Sequence, residues 1–443
     1  MGLKATLVKP PEESRLNFGT FSLAVLAAGV RDSAEIAILD MTDYHVEKAV
    51  SAVLKTCPDV IGVTTMGVTS VEPTAVFVKA LREAGGTCAI VAGGHGATML
   101  PRPLLEAGAD AVVCGEGEET FAEILREGIS DSVKGLAFLR EGSVVKTPSR
   151  PLIQPLDSLL EPARDLQGPP PEGIALVETS RGCPYQCLFC EASRFYNGIW
   201  RARSPGVVVT DIQKLVTRGA TIIHIVDDNF TVDPVRAIKI CELLEKGPLP
   251  LFFYFSARTD DLMRDPDLIP SLARAHFLRA GIGIETLEPD LAHYIGKPIS
   301  FEDHRRTCDA LRKAGIFTMA SFITGLPGEP EEARERCVEL AVKVGVDAAQ
   351  FVPFQPLPGT PLEKGRGEPE PWAEEAAAVY TNHFRQHPLV IERLLKAATL
   401  HTVRGMLART TLAKWVNEGI IRGSGADFLA SELKEIDPGL FGT

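Results

Sequence analysis

The sequence predicts an α/β protein in three parts: an N-terminal Rossmann-like parallel-sheet domain, a partial (β/α)6 TIM-like barrel, and a helical C-terminal region. Three observations predict it. Short apolar runs alternate with helical segments through residues 1–130 and again through 174–362, the pattern of parallel sheets covered on both faces. Small and polar residues gather just after those runs, where open sheets and barrels place their ligands. From residue 363 to 443 the apolar pattern is helical only.

A chain of 443 residues is too long for one core, so several domains are expected. Its 45% hydrophobic and 23% charged content is that of a globular protein. A net charge of −12 argues against a nucleic-acid partner, which would call for a basic face. Met1-Gly2-Leu3-Lys4 leads straight into a strand rather than a signal peptide. No apolar run reaches the roughly 18 residues of a membrane span. The expectation is a cytoplasmic protein with reduced thiols and no membrane partner.

In order, strands are expected at residues 5–8, 35–40, 60–65, 87–92 and 111–114. Helices are expected at about 18–30, 46–55 and 73–84. Thr64, Thr65, Gly67, Ser70, Gly93, Gly94, Gly115 and Gly117 fall at carboxyl ends of strands, marking one ligand-binding edge. Prolines 148, 151, 155, 162 and 169–171 make 131–173 a linker, with a possible hairpin pairing 135–138 with 143–145. The barrel strands are expected at 174–179, 221–226, 251–255, 281–284, 317–322 and 348–352. Helices fall between them, around 206–218, 234–246, 266–276, 301–314 and 330–344. In the tail, 373–380 and 390–407 are the clearest helical runs, and no motif stands out there.

Among nine cysteines, only Cys183, Cys187 and Cys190 have ligand spacing, C-x3-C-x2-C, just after the first barrel strand. The other six are scattered singly and read as small buried hydrophobes. A structural zinc site wants four ligands, and the nearest histidine, His224, lies 34 positions beyond Cys190. A disulfide with a spare thiol does not suit a reducing compartment. Three thiolates can instead hold three irons of a 4Fe–4S cluster and leave one iron open to bind something.

Motif and barrel together resemble the radical S-adenosylmethionine (SAM) superfamily, over about 174–360. The resemblance implies that Cys183, Cys187 and Cys190 ligate the cluster and that SAM chelates the open iron. Reductive cleavage of SAM then gives a radical that abstracts hydrogen from a small-molecule substrate. An external electron donor such as flavodoxin or ferredoxin is implied as a partner. Phe189, Ser256, Arg258, Glu285 and Gly325 are implied as SAM contacts, Arg258 because its fork suits a carboxylate. Asp228, beside Asp227, would face the SAM amino group or the substrate, or else cap a helix. For Glu285 the alternative is a surface ion pair, and the loop Gln355–Pro361 reads as a rigid exit from the barrel.

Residues 91–98 (VAGGHGAT) and 113–121 (VCGEGEETF) resemble the cobalamin-binding domain that precedes many radical SAM enzymes. That implies a possible cobalamin site on Thr65, Ser70, Gly93, Gly94, Gly115 and Glu116. Trp200-Arg201-Ala202-Arg203-Ser204-Pro205 is similar to a stretch of the same subgroup, so Arg203 would meet SAM or cobalamin, or else be solvated. One departure stands out: the loop after the first strand, Lys9 to Ser14, has no histidine to ligate cobalt from below. Asp43-Tyr44-His45 follows the second strand and lacks the glycine of that motif. Three functions are therefore weighed: cobalamin-dependent C-methylation, cobalamin-independent radical dehydration, deoxygenation or rearrangement on a vestigial domain, and a non-catalytic electron-transfer or sensor role.

Overall fold

The computed structural model describes residues 2–12, 19–167, 170, 173–247, 250, 252–363, 372–400, 403–419, 421 and 424–436. Glu13, Ser14, Phe18, Pro169, Pro171 and Leu251, which the sequence places in loops or at element ends, lie outside them.

The first sheet takes β1 (Lys4–Lys9), β2 (Glu35–Asp40), β3 (Val60–Thr64), β4 (Ala89–Gly93) and β5 (Ala111–Val113), followed by β6 (Leu136–Arg140) and β7 (Ser143–Lys146). Their order is β2-β1-β3-β4-β5-β6-β7. The first five strands run parallel, and β6 and β7 return antiparallel. β3 is buried along its whole length, which its unbroken apolar run requires. In its middle, Gly62 leaves room for Leu7: a Cβ there would lie 2.7 Å from Leu7 Cδ2. The chain reverses its winding beside β1, between β2 and β3, so a ligand crevice is expected at the carboxyl edge.

The expected hairpin is present, but it is not linker. It extends the first sheet, because Val133, Leu136 and Ala137 are fully buried against the domain's core. The connector proper begins after Lys146.

The second sheet is the partial barrel: β8 (Ile174–Val177), β11 (Ile222–Ile225), β12 (Phe252–Ala257), β13 (Phe277–Glu285), β14 (Phe317–Thr324) and β15 (Ala348–Pro353). All its pairings are parallel, and β8 and β15 form its two open edges. Between β8 and β11 a short ribbon pairs β9 (Ser180–Arg181) with β10 (Arg201–Ala202). β13 starts four residues before the expected Gly281. Phe277 is fully buried and stacks on Phe253 at 4.2 Å, so packing pulls those residues into the strand.

Four helices follow, Trp372–Gln386, Pro388–Ala398, Val403–Asn417 and Ser424–Ile436. The single run expected over 390–407 is two helices that pack closely: a Cβ on Gly405 of the second would sit 3.0 Å from the Ala397 carbonyl of the first. Arg404 ties this tail to the barrel. It donates to the Ile316 carbonyl at 2.9 Å and pairs with Asp347, which also accepts from Thr318 N.

Candidate functional site

The cysteine loop is held by its backbone before any ligand is considered. Gly182 has φ +82°, and a Cβ on it would meet the Ile199 carbonyl at 2.2 Å, so only glycine fits the turn into Cys183. Fully buried Asp227 accepts from Thr179 N, Thr179 Oγ1 and Ser180 Oγ, each at 2.6 Å. That fixes the end of β8 and the start of β9. Asp228 accepts from Gly182 N at 3.1 Å. Burial, then the charge of Asp227, pushes its carboxyl up to about 6. Neither aspartate caps the next helix. Asp233 does, accepting from Arg236 N at 3.0 Å.

Cys187 is buried, while Cys183 and Cys190 are half-buried. Burial pushes the Cys183 thiol up to about 11, and the charges of Cys190 and Cys187 add to the rise. Arg258 Nη1 donates to Cys187 Sγ at 3.5 Å. The rest of its fork is taken: Nε and Nη2 bind both oxygens of Asp260 at 3.0 and 2.9 Å. The guanidinium lies over Tyr185, 3.7 Å from the ring centre. The fork expected to receive a SAM carboxylate is therefore engaged by protein, and only one of its donors turns to the cysteine loop.

Phe189 and Leu188 pack against Ile295, Ile323 and Leu326, forming an apolar wall beside the cysteines. Gly325 sits at the mouth of β14 with φ +78°, and its N–H donates to Glu329. Ser256 lies half-buried on β12, and its carbonyl accepts from Phe230 N. Glu285 ends β13 with φ +68°, a left-handed backbone that residues other than glycine adopt uncommonly. It is no surface ion pair: it is 8% exposed and meets buried Lys297 at 3.1 Å.

A cavity of about 360 Å³ lies between the two sheets. One wall is the carboxyl edge of the first sheet, with Thr64, Met66, Gly93, Gly94, His95, Gly115, Glu116, Gly117 and Glu118. The other is the strand that delivers the cysteines, with Glu178, Ser180 and Arg181, together with Phe195, Tyr196 and Asp228. No neighbour lies within 4 Å of a Cβ built on Gly115. The cavity edge is therefore open at Gly115.

The expected first-domain residues divide. Gly93, Gly94, Gly115 and Glu116 line the cavity. Gly94 is also a packing glycine, since a Cβ there would lie 2.4 Å from the Thr65 carbonyl. Thr65 is fully buried behind the rim, and its hydroxyl is left without a protein partner. Ser70 is buried and donates to Glu12 at 2.6 Å. Glu116 serves as a joint: it accepts from Arg181 at 2.7 Å, Arg201 at 2.9 Å and Ile153 N at 2.6 Å. Burial opposes its charge, but Arg201 and Arg181 win and hold the carboxyl below its usual range. Arg203 is buried, not solvated. Its N–H pairs with the Thr179 carbonyl at 2.9 Å, and its Nε has no partner.

The sequence reading missed the groups that join the two halves. Arg181 spans three glutamates, reaching Glu118 at 2.6 Å and Glu178 at 2.8 Å besides Glu116. A fully charged side chain in the strand feeding the cysteine loop was the available signal. Glu191, next to Cys190, reaches the first domain, its Oε2 3.9 Å from a Cβ built on Gly67, and burial pushes its carboxyl up to about 7. His95 stacks on Phe195 at 3.9 Å, with Tyr196 OH at 3.4 Å. Burial and Arg181 push it down to about 4, so it faces the cavity uncharged.

Chemically, three thiols of one loop sit beside a cation and an apolar wall, which suits a cluster and an adenosyl group. Among the described residues no three Cys, His, Asp or Glu side chains gather around one point as a single metal ion requires. The glycine-rimmed cavity suits part of a large planar cofactor held from the first sheet's edge. Lys9 ends β1 and leads into Pro10, so no imidazole faces the crevice from there.

Residues 177–341 match the family described as Radical SAM superfamily, and residues 13–125 match the B12 binding domain. An uncharacterized methyltransferase of Pyrococcus horikoshii is 31% identical over 386 residues, 81% of this chain and 82% of that one. The anaerobic magnesium-protoporphyrin IX monomethyl ester cyclase of Rubrivivax gelatinosus is 30% identical over 330 residues, 70% of this chain but only 59% of its own length. The fold is similar to that of the radical S-adenosylmethionine methyltransferase TsrM from Kitasatospora setae, solved with cobalamin and a 4Fe–4S cluster bound. That match has a TM-score of 0.71 at 20% identity and covers 81% of this chain and 77% of that one.

Proposed function

The chain belongs to the radical SAM superfamily, and from that footing we propose that it is a cobalamin-dependent methyltransferase acting on a carbon of a small molecule. The observation that carries the proposal is the cavity walled on one side by Gly93, Gly94 and Gly115 and on the other by Ser180 and Arg181, two residues before Cys183. It puts the edge of a B12-type sheet against the loop that would hold the cluster.

Cys183, Cys187 and Cys190 would hold three irons, with SAM at the fourth. When bound, the cluster and SAM supply a hydrogen-abstracting radical, and methylcobalamin supplies the methyl group. The chain's own residues do the positioning. Asp227 locks the strand ends that carry the cysteines. Arg258 steadies Cys187 through Nη1, while Asp260 fixes its plane. Glu285 and Ser256 would meet the ribose of SAM, and the apolar wall of Phe189 and Leu326 would shield its adenine. Closing the mouth against water protects so reactive a species. An external one-electron donor, flavodoxin or ferredoxin in type, would supply the electron.

A second reading keeps the radical step without cobalamin. It is favoured by the missing histidine after β1 and by a cavity of about 360 Å³, small for an entire corrin. Anaerobic reconstitution with iron, sulfide and cobalamin separates the two. Near one cobalt per chain supports the methyltransferase. Deoxyadenosine formed from SAM with no cobalt retained supports the second reading. A cluster that never cleaves SAM would overturn both.

A further inference from the structure

Lys297 is 6% exposed, and its Nζ donates to Glu285 Oε1 at 3.1 Å. A buried lysine is costly unless its partner is fixed. Here two features of the chain serve that partner. Glu285 takes a left-handed backbone at φ +68°, where the register of β13 on β14 shifts. Gly283 supplies the space: a Cβ on it would lie 2.2 Å from Glu285 Oε1 and 2.7 Å from Lys297 Nζ. The other carboxylate oxygen, Oε2, has no protein partner among the described residues.

The loop that carries Lys297 is joined to the cysteine loop. Leu188 N donates to the Ile295 carbonyl at 2.9 Å, and the Gly296 carbonyl lies 3.9 Å from Cys187 Sγ. A shift of the cysteine loop therefore moves Lys297, and Lys297 holds Glu285. We infer that Lys297 is a positioning residue: it fixes one oxygen of Glu285 so that the other is presented to SAM in register with the cysteines. This rests on the reading of Glu285 as the ribose partner.

The test uses the cluster-reconstituted full chain. SAM affinity is measured by equilibrium dialysis, and KM and kcat by deoxyadenosine formation with dithionite. Glu285→Gln and Lys297→Met are each expected to raise the SAM Kd and KM about tenfold, with kcat changed far less. The double variant is expected to match Glu285→Gln alone, because a residue acting only through another adds nothing once that partner is disabled. Additive losses would mean that Lys297 touches SAM itself, and would overturn the inference. If Glu285→Gln weakens SAM while Lys297→Met does not, the inference falls and the ribose reading stands. If Glu285→Gln has no effect, both fall. Should Lys297→Met fail to fold, Gly283→Ala replaces it: both charges stay, and the added methyl displaces the carboxylate. It too must raise the Kd, and an unchanged Kd overturns the inference.

Discussion

Arg181 Nη1 and Glu116 Oε1 meet at 2.7 Å across the boundary between the first sheet and the strand that delivers the cysteines. With Glu118 and Glu178 also on the guanidinium, one cation bridges three buried or half-buried carboxylates. Arg181→Met strips Glu118 and Glu178 of their cation and leaves Glu116 with Arg201 alone. A loss of about 3–5 kcal/mol is expected in urea unfolding, the usual result of stripping one partner from a buried pair. Adding Glu118→Gln, which neutralises a carboxylate held by Arg181 alone, should restore part of it. Unchanged stability in the single variant would show the network to be idle.

Gly182 turns the chain into Cys183 at φ +82°, with the Ile199 carbonyl 2.2 Å from any added Cβ. Gly182→Ala should keep the far-ultraviolet circular dichroism of the native chain and lose most of the iron bound on reconstitution. Native iron content in that variant would mean the turn does not set the loop.

Gly93 lines the cavity, and a Cβ there would touch only Val113, at 3.6 Å. Gly93→Phe therefore fills the cavity while the fold survives. Cobalt retained per chain should fall at least about tenfold, with deoxyadenosine formation from SAM continuing. Equal cobalt in the variant and the native chain would place the corrin elsewhere.

Burial pushes three histidines down to about 4: His95, beside Arg181; His224, beside Arg279; and His304, near Lys297 and bonded to Thr259. In the unfolded chain each titrates near 6.5, so between 6.5 and 4 the unfolded state binds protons that the folded state refuses. Stability should be full above that window and fall as pH drops through it, by up to about 1.4 kcal/mol per pH unit per histidine. Urea midpoints from pH 7.5 to 4.5 test this. His304→Gln, which can still bond Thr259, should make the slope shallower, and a slope equal to that of the native chain would refute the assignment.

The parallel sheets and the cysteine trio were legible because local pattern fixes them. Runs such as 60–64 have no solvent-facing side, and the thiol spacing is contiguous. Pairings between distant segments were not legible. Nothing in the sequence near Glu116 names Arg181, 65 positions away, or marks its carboxylate as a joint rather than a cofactor contact. Gly283 reads as one more small residue in a strand until Lys297 is seen filling the space beside it. The hairpin at 136–146 was legible as a hairpin, but its membership of the first sheet depends on burial that only the assembled core reveals. Arg258 shows the same limit. Its place after β12 followed from the order of strands, while its capture by Asp260 depends on a side-chain choice within one turn.

The cavity between the sheets has a consequence for how this protein can change over generations. Each half contributes one side of a mould, Gly93 to Glu118 from one and Glu178 to Asp228 from the other. A first domain borrowed from a relative would bring half a mould to a barrel shaped for a different complement. A graft that preserves function is therefore expected to carry the facing residues Glu116, Arg181 and Arg201 as a set.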